Sequence, residues 1–225
     1  MAALYRDRRE GGVALAQRLE AYRGRNDVAV FGLPRGGVVP AFEVAKHLEL
    51  PLDLIMVRKL TLPGEPPRPI GAITSGGHTL LDEAAIEAYG ATEGEVHEAE
   101  LQARNRLQVR EKAYRGLMPN LTIRDHVVII IDDGMNSGAT MQVAIAAVRN
   151  QGPARIIVAV PVASQRSLES LQYADEVICL QQPKEFSDID ACYEDFAEVT
   201  DDQVRDLLEQ SREFALRDVD IPPFT

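Results

Sequence analysis

Residues 127–141, VVIIIDDGMNSGATM, pack five consecutive β-branched residues, two adjacent acids and a run of small and hydroxylated residues into fifteen positions. Val127 to Ile131 is short and continuously apolar, which is how a strand covered on both faces of a parallel sheet reads. Asp132 and Asp133 follow at its C-terminal end, where open α/β sheets place their ligands. After the loop GMNSGAT, residues Met141, Ala144, Ile145 and Val148 recur at helical spacing on one apolar face. The order is strand, acid pair, loop, helix N-terminus.

The same alternation extends in both directions. Val13, Ala16, Leu19 and Tyr22 predict a helix, 27–31 a strand, 38–48 a helix and 52–57 a strand ending in Arg58 and Lys59. The stretch 60–77 is rich in Pro and Gly; it is read as a mobile loop followed by a small β insertion, with no regular core element. Residues 93–114 predict a long solvated helix with Val96, Ala99, Ala103, Leu107 and Tyr114 on one side, whose charges need no function. Beyond the quoted stretch come a helix at 139–150, a strand at 156–160, a helix at 167–173 and a strand at 176–180. This pattern predicts an α/β fold with a mostly parallel, doubly wound sheet, as a single domain over 1–225.

Composition narrows the function. A net charge of −11 argues against a general nucleic-acid binder, which needs a basic face, so any polyanion must be met locally. No apolar run approaches a membrane span, and the start, MAALYRDRREGG, has no apolar signal core, so a cytoplasmic protein is expected. Cys179 and Cys192 read as free thiols.

A loop that opens a helix can aim backbone N–H groups at a phosphate, and Ser137 and Thr140 add hydroxyl donors. Neither the Walker A spacing nor the dinucleotide fingerprint is present. The acids upstream suit sugar hydroxyls or a hydrated Mg²⁺. A ribose 5-phosphate would satisfy both halves. A second loop, GLPRGG at 32–37, also lies between a predicted strand and a helix, so two anion-directed loops can face one ligand.

VVIIIDDGMNSGATM resembles the phosphoribosyl-pyrophosphate (PRPP) signature of the type I phosphoribosyltransferases. With PRGGVVPAFEVA, VRKL, a Glu/Arg-rich helix ending in YRG, AVPVAS and the segment around ACYEDF, nearly the whole chain is similar to a bacterial group of uncharacterised phosphoribosyltransferases. The resemblance implies a pentosyltransferase of nucleotide metabolism that uses PRPP and Mg²⁺ and releases pyrophosphate. In it, Asp132 and Asp133 hold the ribose hydroxyls directly or through Mg²⁺ and its water, and Asn136, Ser137, Gly138, Ala139 and Thr140 bind the 5-phosphate. Leu33, Pro34, Arg35, Gly36 and Gly37 grip the pyrophosphate, often with a non-proline cis peptide, while Arg58 and Lys59 attend it. The fold would carry a small insertion at about 60–115, with the 60–77 loop closing over the site, and a hood at about 181–225. Phe186 and Tyr193 are candidates to stack on the acceptor, and a homodimer is the fold-level expectation.

Three positions depart from the purine-salvage members. Asn136 stands where they carry an Asp that assists proton transfer, no Lys follows the strand in IVAVPVAS, and Gly134 replaces a larger apolar residue, which leaves the loop less constrained. The acceptor is therefore open. The rival readings are a PRPP-sensing module that has lost the chemistry and a sugar-phosphate hydrolase.

Overall fold

A computed structural model describes residues 3–75, 77–116 and 121–215. Five parallel strands, β1 (Val28–Gly32), β2 (Leu52–Leu54), β6 (Val127–Ile131), β7 (Arg155–Val162) and β8 (Glu176–Gln181), form the central sheet in the order β2-β1-β6-β7-β8. The expected α/β parallel sheet is present. The continuous apolar run of β6 has a simple cause: its two faces are both covered. Val127, Ile129 and Ile131 join one core with Leu15 of α1 (Arg8–Arg18) and Leu19 just after it, Val44 and Leu48 of α2 (Val38–Leu48), and Val204 and Leu207 of α7 (Asp201–Ala215). Val128 and Ile130 face the other way, onto Met141, Ile145 and Val148 of α5 (Ala139–Arg149).

The expected small β insertion is present, but it takes up most of the Pro/Gly-rich stretch and, against expectation, contributes to the core. β3 (Val57–Leu62), β4 (Arg68–Thr74) and β5 (Thr79–Leu81) make a three-stranded antiparallel sheet, and Leu60, Leu62, Ile70 and Ile73 are buried in the main core. Between β3 and β4 only residues 63–67 lie outside strands, and three of the prolines are confined there. Pro69 sits inside β4, opposite Thr61, where the pairing register shifts and β5 no longer reaches; its missing N–H therefore costs no ladder bond on that side. Pro and Gly counts hid an alternating strand.

Other boundaries differ as well. The predicted strand at 52–57 breaks after Leu54, so Arg58 and Lys59 belong to the start of β3 in the second sheet and not to the end of a central strand. α1 begins at Arg8, capped by Asp7, and buries Gly11, Gly12, Leu15 and Ala16 while Val13 is exposed: Gly12 lies against Pro40 of α2 and Gly11 against Pro161 of β7. The helix expected at 167–173 is α6 (Gln165–Glu169), set earlier by the cap from Ser164. Two helices had no sequence expectation: α3 (Glu83–Tyr89) and α7, the latter with Val204, Leu207, Leu208 and Ser211 buried on one face. Of the expected hood, the described 181–200 segment crosses the sheet edge, α7 packs on α2, α4 (Glu93–Arg115) and β2, and 216–225 lie outside the described residues.

Not every charge on α4 is solvated. Arg115 is buried, and its Nε donates to Asp53 Oδ1 at 2.8 Å, with Glu111 as a second partner. The other oxygen of Asp53 accepts from Leu121 N at 2.9 Å, so this buried charge pair is fully engaged where β2 ends. Among the described residues, no helix is long and apolar enough to cross a membrane, and both cysteines are free.

Candidate active site

β1 and β6 are neighbours in the sheet, paired from Val28 with Val127 to Gly32 with Ile131. Their following loops therefore leave the same C-terminal edge side by side. Leu33 N donates to Ile131 O at 2.9 Å and carries the first loop toward the acid pair. The peptide between Pro34 and Arg35 is cis. Gly36 and Gly37 are required by contact: a Cβ on Gly36 would overlap Asp133 Oδ2, and one on Gly37 would lie 2.6 Å from Asp132 Oδ1. The two predicted anion loops share one wall, and the acids form it.

The acids are not equivalent. Asp133 is buried, and Arg8 Nε donates to its Oδ2 at 2.6 Å. Arg8 also donates to Ala197 O at 2.7 Å and lies 3.5 Å over the Phe196 ring, so its charge is both paired and stacked. Asp132 keeps part of its surface in solvent, but its carboxyl is tucked against Gly37 and accepts from Asp133 N at 2.9 Å. Burial, and then the neighbouring Asp133 charge, push the Asp132 carboxyl well above the usual carboxylate range. A carboxyl perturbed by desolvation at the C-terminal edge of the sheet is a candidate binding-site group.

The second loop is pinned from below and open above. Met135 N donates to Val162 O at 3.0 Å, Ser164 Oγ donates to Asn136 O at 2.6 Å, and Ser167 Oγ donates to Met135 O at 3.1 Å. Asn136, Ser137, Ala139 and Thr140 remain exposed, while Gly138 is buried where α5 starts. Gly134 does not loosen this loop. It is buried, and a Cβ there would sit 2.7 Å from Ile189 Cγ2 and 2.9 Å from Val162 Cγ2; the space of the larger residue is filled by Ile189 from the 181–200 segment.

The remaining predicted residues divide. Lys59 is exposed and lines a cavity of about 270 Å³ together with Ala139 and Thr140, so β3 brings it beside the start of α5. Arg58 precedes it on the same strand and so points to the opposite face of that sheet; it does not line this cavity. Arg35 is ion-paired with Glu198. Phe186 is half-buried and packs on the Tyr5, Cys192 and Tyr193 cluster. Tyr193 is 5% exposed, stacked on Phe196 at 5.2 Å, and donates its hydroxyl to Asp133 O at 2.6 Å, so its ring is core and not an open stacking face. Tyr193→Phe should lower stability by about 1 kcal/mol, the net worth of one buried hydrogen bond, as read from the shift in urea midpoint at unchanged slope.

Arg8, Asp188 and Glu198 were not singled out from the sequence. Arg8 stands in RDRRE among other charges, and nothing in that local pattern distinguishes it. Among the described residues no group of three or more His, Cys, Asp or Glu could cage a metal ion. Mg²⁺ bound through one carboxylate, water and ligand phosphate oxygens needs no such cage, and Asp132 fits that role while Asp133 is committed to Arg8.

An open parallel sheet whose first and third strands in chain order within that sheet deliver two glycine-containing loops and an acid pair to one edge defines a ligand-binding α/β domain of a recognisable class. The sequence model of the phosphoribosyl transferase domain matches residues 8–195, and the chain belongs to that family. It is 36% identical over 214 residues to Rv0571c and MT0597 of two Mycobacterium tuberculosis strains, whose phosphoribosyl transferase names are provisional. The match covers 94% of this chain and 48% of theirs, so the chain spans about half the length of these curated relatives. The crystal structure of TT1426 from Thermus thermophilus has the same fold, with a TM-score of 0.80 and 38% identity over 93% of this chain and 99% of that one.

Proposed function

We propose that the protein binds PRPP with Mg²⁺ and transfers its 5-phosphoribosyl group to a nitrogenous acceptor, releasing pyrophosphate. The observation that carries this reading is the shared wall: Gly36 and Gly37 lie directly against Asp133 and Asp132, so one ligand with phosphates at both ends can span the two loops and meet carboxylate between them. Exposed Ser137 and Thr140, with the amides at the start of α5, suit the 5-phosphate. Arg35 and the amides that open α2 suit the pyrophosphate, and Lys59 adds a cation near the 5-phosphate loop. Asp132 accepts hydrogen bonds from the ribose hydroxyls or holds Mg²⁺, which when bound neutralises charge building on the leaving pyrophosphate. The protein's own contribution is to position charge around C1.

Isothermal titration with PRPP and Mg²⁺ tests the binding. Thr140→Val should weaken PRPP by roughly 10- to 100-fold, the worth of a hydrogen bond to a charged group, with an unchanged fold. Equal affinity of the variant would remove the 136–140 loop from the phosphate. A sensing role without transfer is favoured by one observation, the amide of Asn136 in this loop, which cannot serve as a base. It predicts stoichiometric binding with no pyrophosphate release across purine, pyrimidine and amine acceptors.

A further inference from the structure

We infer that Asp188 is the proton acceptor for the incoming nucleophile, an assignment that rests on the transfer reading above. A nitrogen nucleophile that enters as N–H must lose that proton in the course of forming its bond to C1, and a basic group beside the 136–140 loop would accept it. Carboxylates placed at the two loops include Asp132 and Asp133 on the shared wall, Glu198 beside Arg35 and Asp188 beside Asn136. Asp133 is held by Arg8 at 2.6 Å, and Glu198 stands beside Arg35 on the first loop. Asp132 is pressed against Gly37, on the wall shared by the two phosphate-directed loops. Of the four, only the Asp188 side chain is hydrogen-bonded to a residue of the 136–140 loop among the described residues.

Asp188 is different. It is exposed, and its Oδ1 accepts from Ile189 N at 2.8 Å and from Asn136 Nδ2 at 3.4 Å. Its Oδ2 has no hydrogen-bond partner among the described residues. The amide of Asn136 cannot take a proton, but it donates to one oxygen of Asp188 and leaves the other unengaged. The segment is laid on the loop by a second contact: Ile189 Cγ2 fills the space over Gly134, and Cys192 N donates to Ile189 O at 3.0 Å behind it. A carboxylate from outside the loop is thus fastened to the loop's own side chain, with one oxygen free.

The acceptor class this defines is a heterocycle or amine whose attacking nitrogen carries a hydrogen. In the step, the N–C1 bond forms, the C1–O bond to pyrophosphate breaks and its electron pair leaves on pyrophosphate. The proton passes from nitrogen to Asp188 Oδ2, and water then removes it.

Pyrophosphate release by wild type, Asp188→Asn and Asp188→Glu is measured with PRPP, Mg²⁺ and a panel of purine, pyrimidine and amine acceptors, beside azide, which attacks without losing a proton. PRPP binding is followed by calorimetry on the same proteins. We expect Asp188→Asn to lose about 10²- to 10⁴-fold in kcat with N–H acceptors, the ordinary worth of a general base, and Asp188→Glu to regain part of it. The azide rate and PRPP affinity of Asp188→Asn stay at wild-type values. Equal turnover of N–H acceptors by Asp188→Asn would overturn the assignment, and so would an equal loss with azide, which marks a packing role. Wild type that binds PRPP yet turns over no N–H acceptor overturns it too while leaving the PRPP site standing. Failure to bind PRPP at all sinks the transfer reading itself.

Discussion

Asp132→Asn should abolish pyrophosphate release and Mg²⁺-dependent PRPP binding while raising the melting temperature of the ligand-free protein. The function is lost because an amide neither carries the charge for Mg²⁺ nor presents two acceptors to the ribose hydroxyls. The gain in stability follows from the raised carboxyl. A carboxyl whose folded pKa lies above its unfolded value favours folding fully only below the unfolded value, near 3.9 for an ordinary Asp, and that advantage is lost as pH rises through the folded value. At neutral pH the wild type therefore bears the cost of a charge beside Asp133 in a desolvated corner, or of holding it protonated. The amide bears neither, and its oxygen can still accept from Asp133 N. Each unit of pKa elevation corresponds to about 1.4 kcal/mol, or roughly 2–4 °C per kcal/mol in a chain of this size. Calorimetric melting from pH 3 to 8 checks this: the variant and wild type should converge at the acid end and separate toward neutrality. A variant that melts lower than wild type at pH 7 would show that the Asp132 charge is stabilised in the free site.

Arg8→Met should have the opposite effect, a loss of about 3–5 kcal/mol, because removing one partner of a buried pair leaves the other charge without compensation. That corresponds to a fall in melting temperature on the order of 10 °C. Three contacts go at once: the pair to Asp133, the bond to Ala197 O and the stacking on Phe196. Asp133→Asn alone is costly for the same reason, so an acid-pair double variant is a poor test of chemistry. Combining Arg8→Met with Asp133→Asn should recover part of the loss, since no isolated charge then remains, and the double-mutant cycle reads the coupling directly. Strict additivity would mean that the Arg8 to Asp133 contact contributes nothing and that Arg8 acts through Phe196 and Ala197.

The parallel sheet was legible because β6 and its helix carry two different periods in adjacent residues: a fully apolar run, then Met141, Ala144, Ile145 and Val148 on one face. The small β insertion was legible as such, but not its extent over 57–74 or its burial, because Pro63, Pro66 and Pro67 dominate local composition while the buried Leu60 and Ile70 are set by tertiary packing. α7 has a signal in Val204, Leu207, Leu208 and Ser211, whose spacing is helical, although acids surround them. In the candidate site, the two glycine-containing loops were recognisable as loops between strand and helix. Their mutual contact was not, since β1 and β6 become neighbours only when the sheet forms.

By itself the sequence determined the strand and helix order of the sheet, the acid pair at a strand end and the phosphate-directed loop after it, because each is a local matter of side-chain period and turn chemistry. Only the tertiary structure decided which acid is free. Arg8 arrives from the N-terminal helix, Phe196 and Ala197 from beyond the last strand, and together they take Asp133 out of reach while Asp132 is left at the edge. It likewise decided that Lys59 lies beside the start of α5 without Arg58, that Tyr193 is core, and that Asp188 meets Asn136. Such pairings join residues far apart in the chain, and no local propensity encodes them; they follow from burying both faces of one sheet, which sets the distances at which distant charges must find partners.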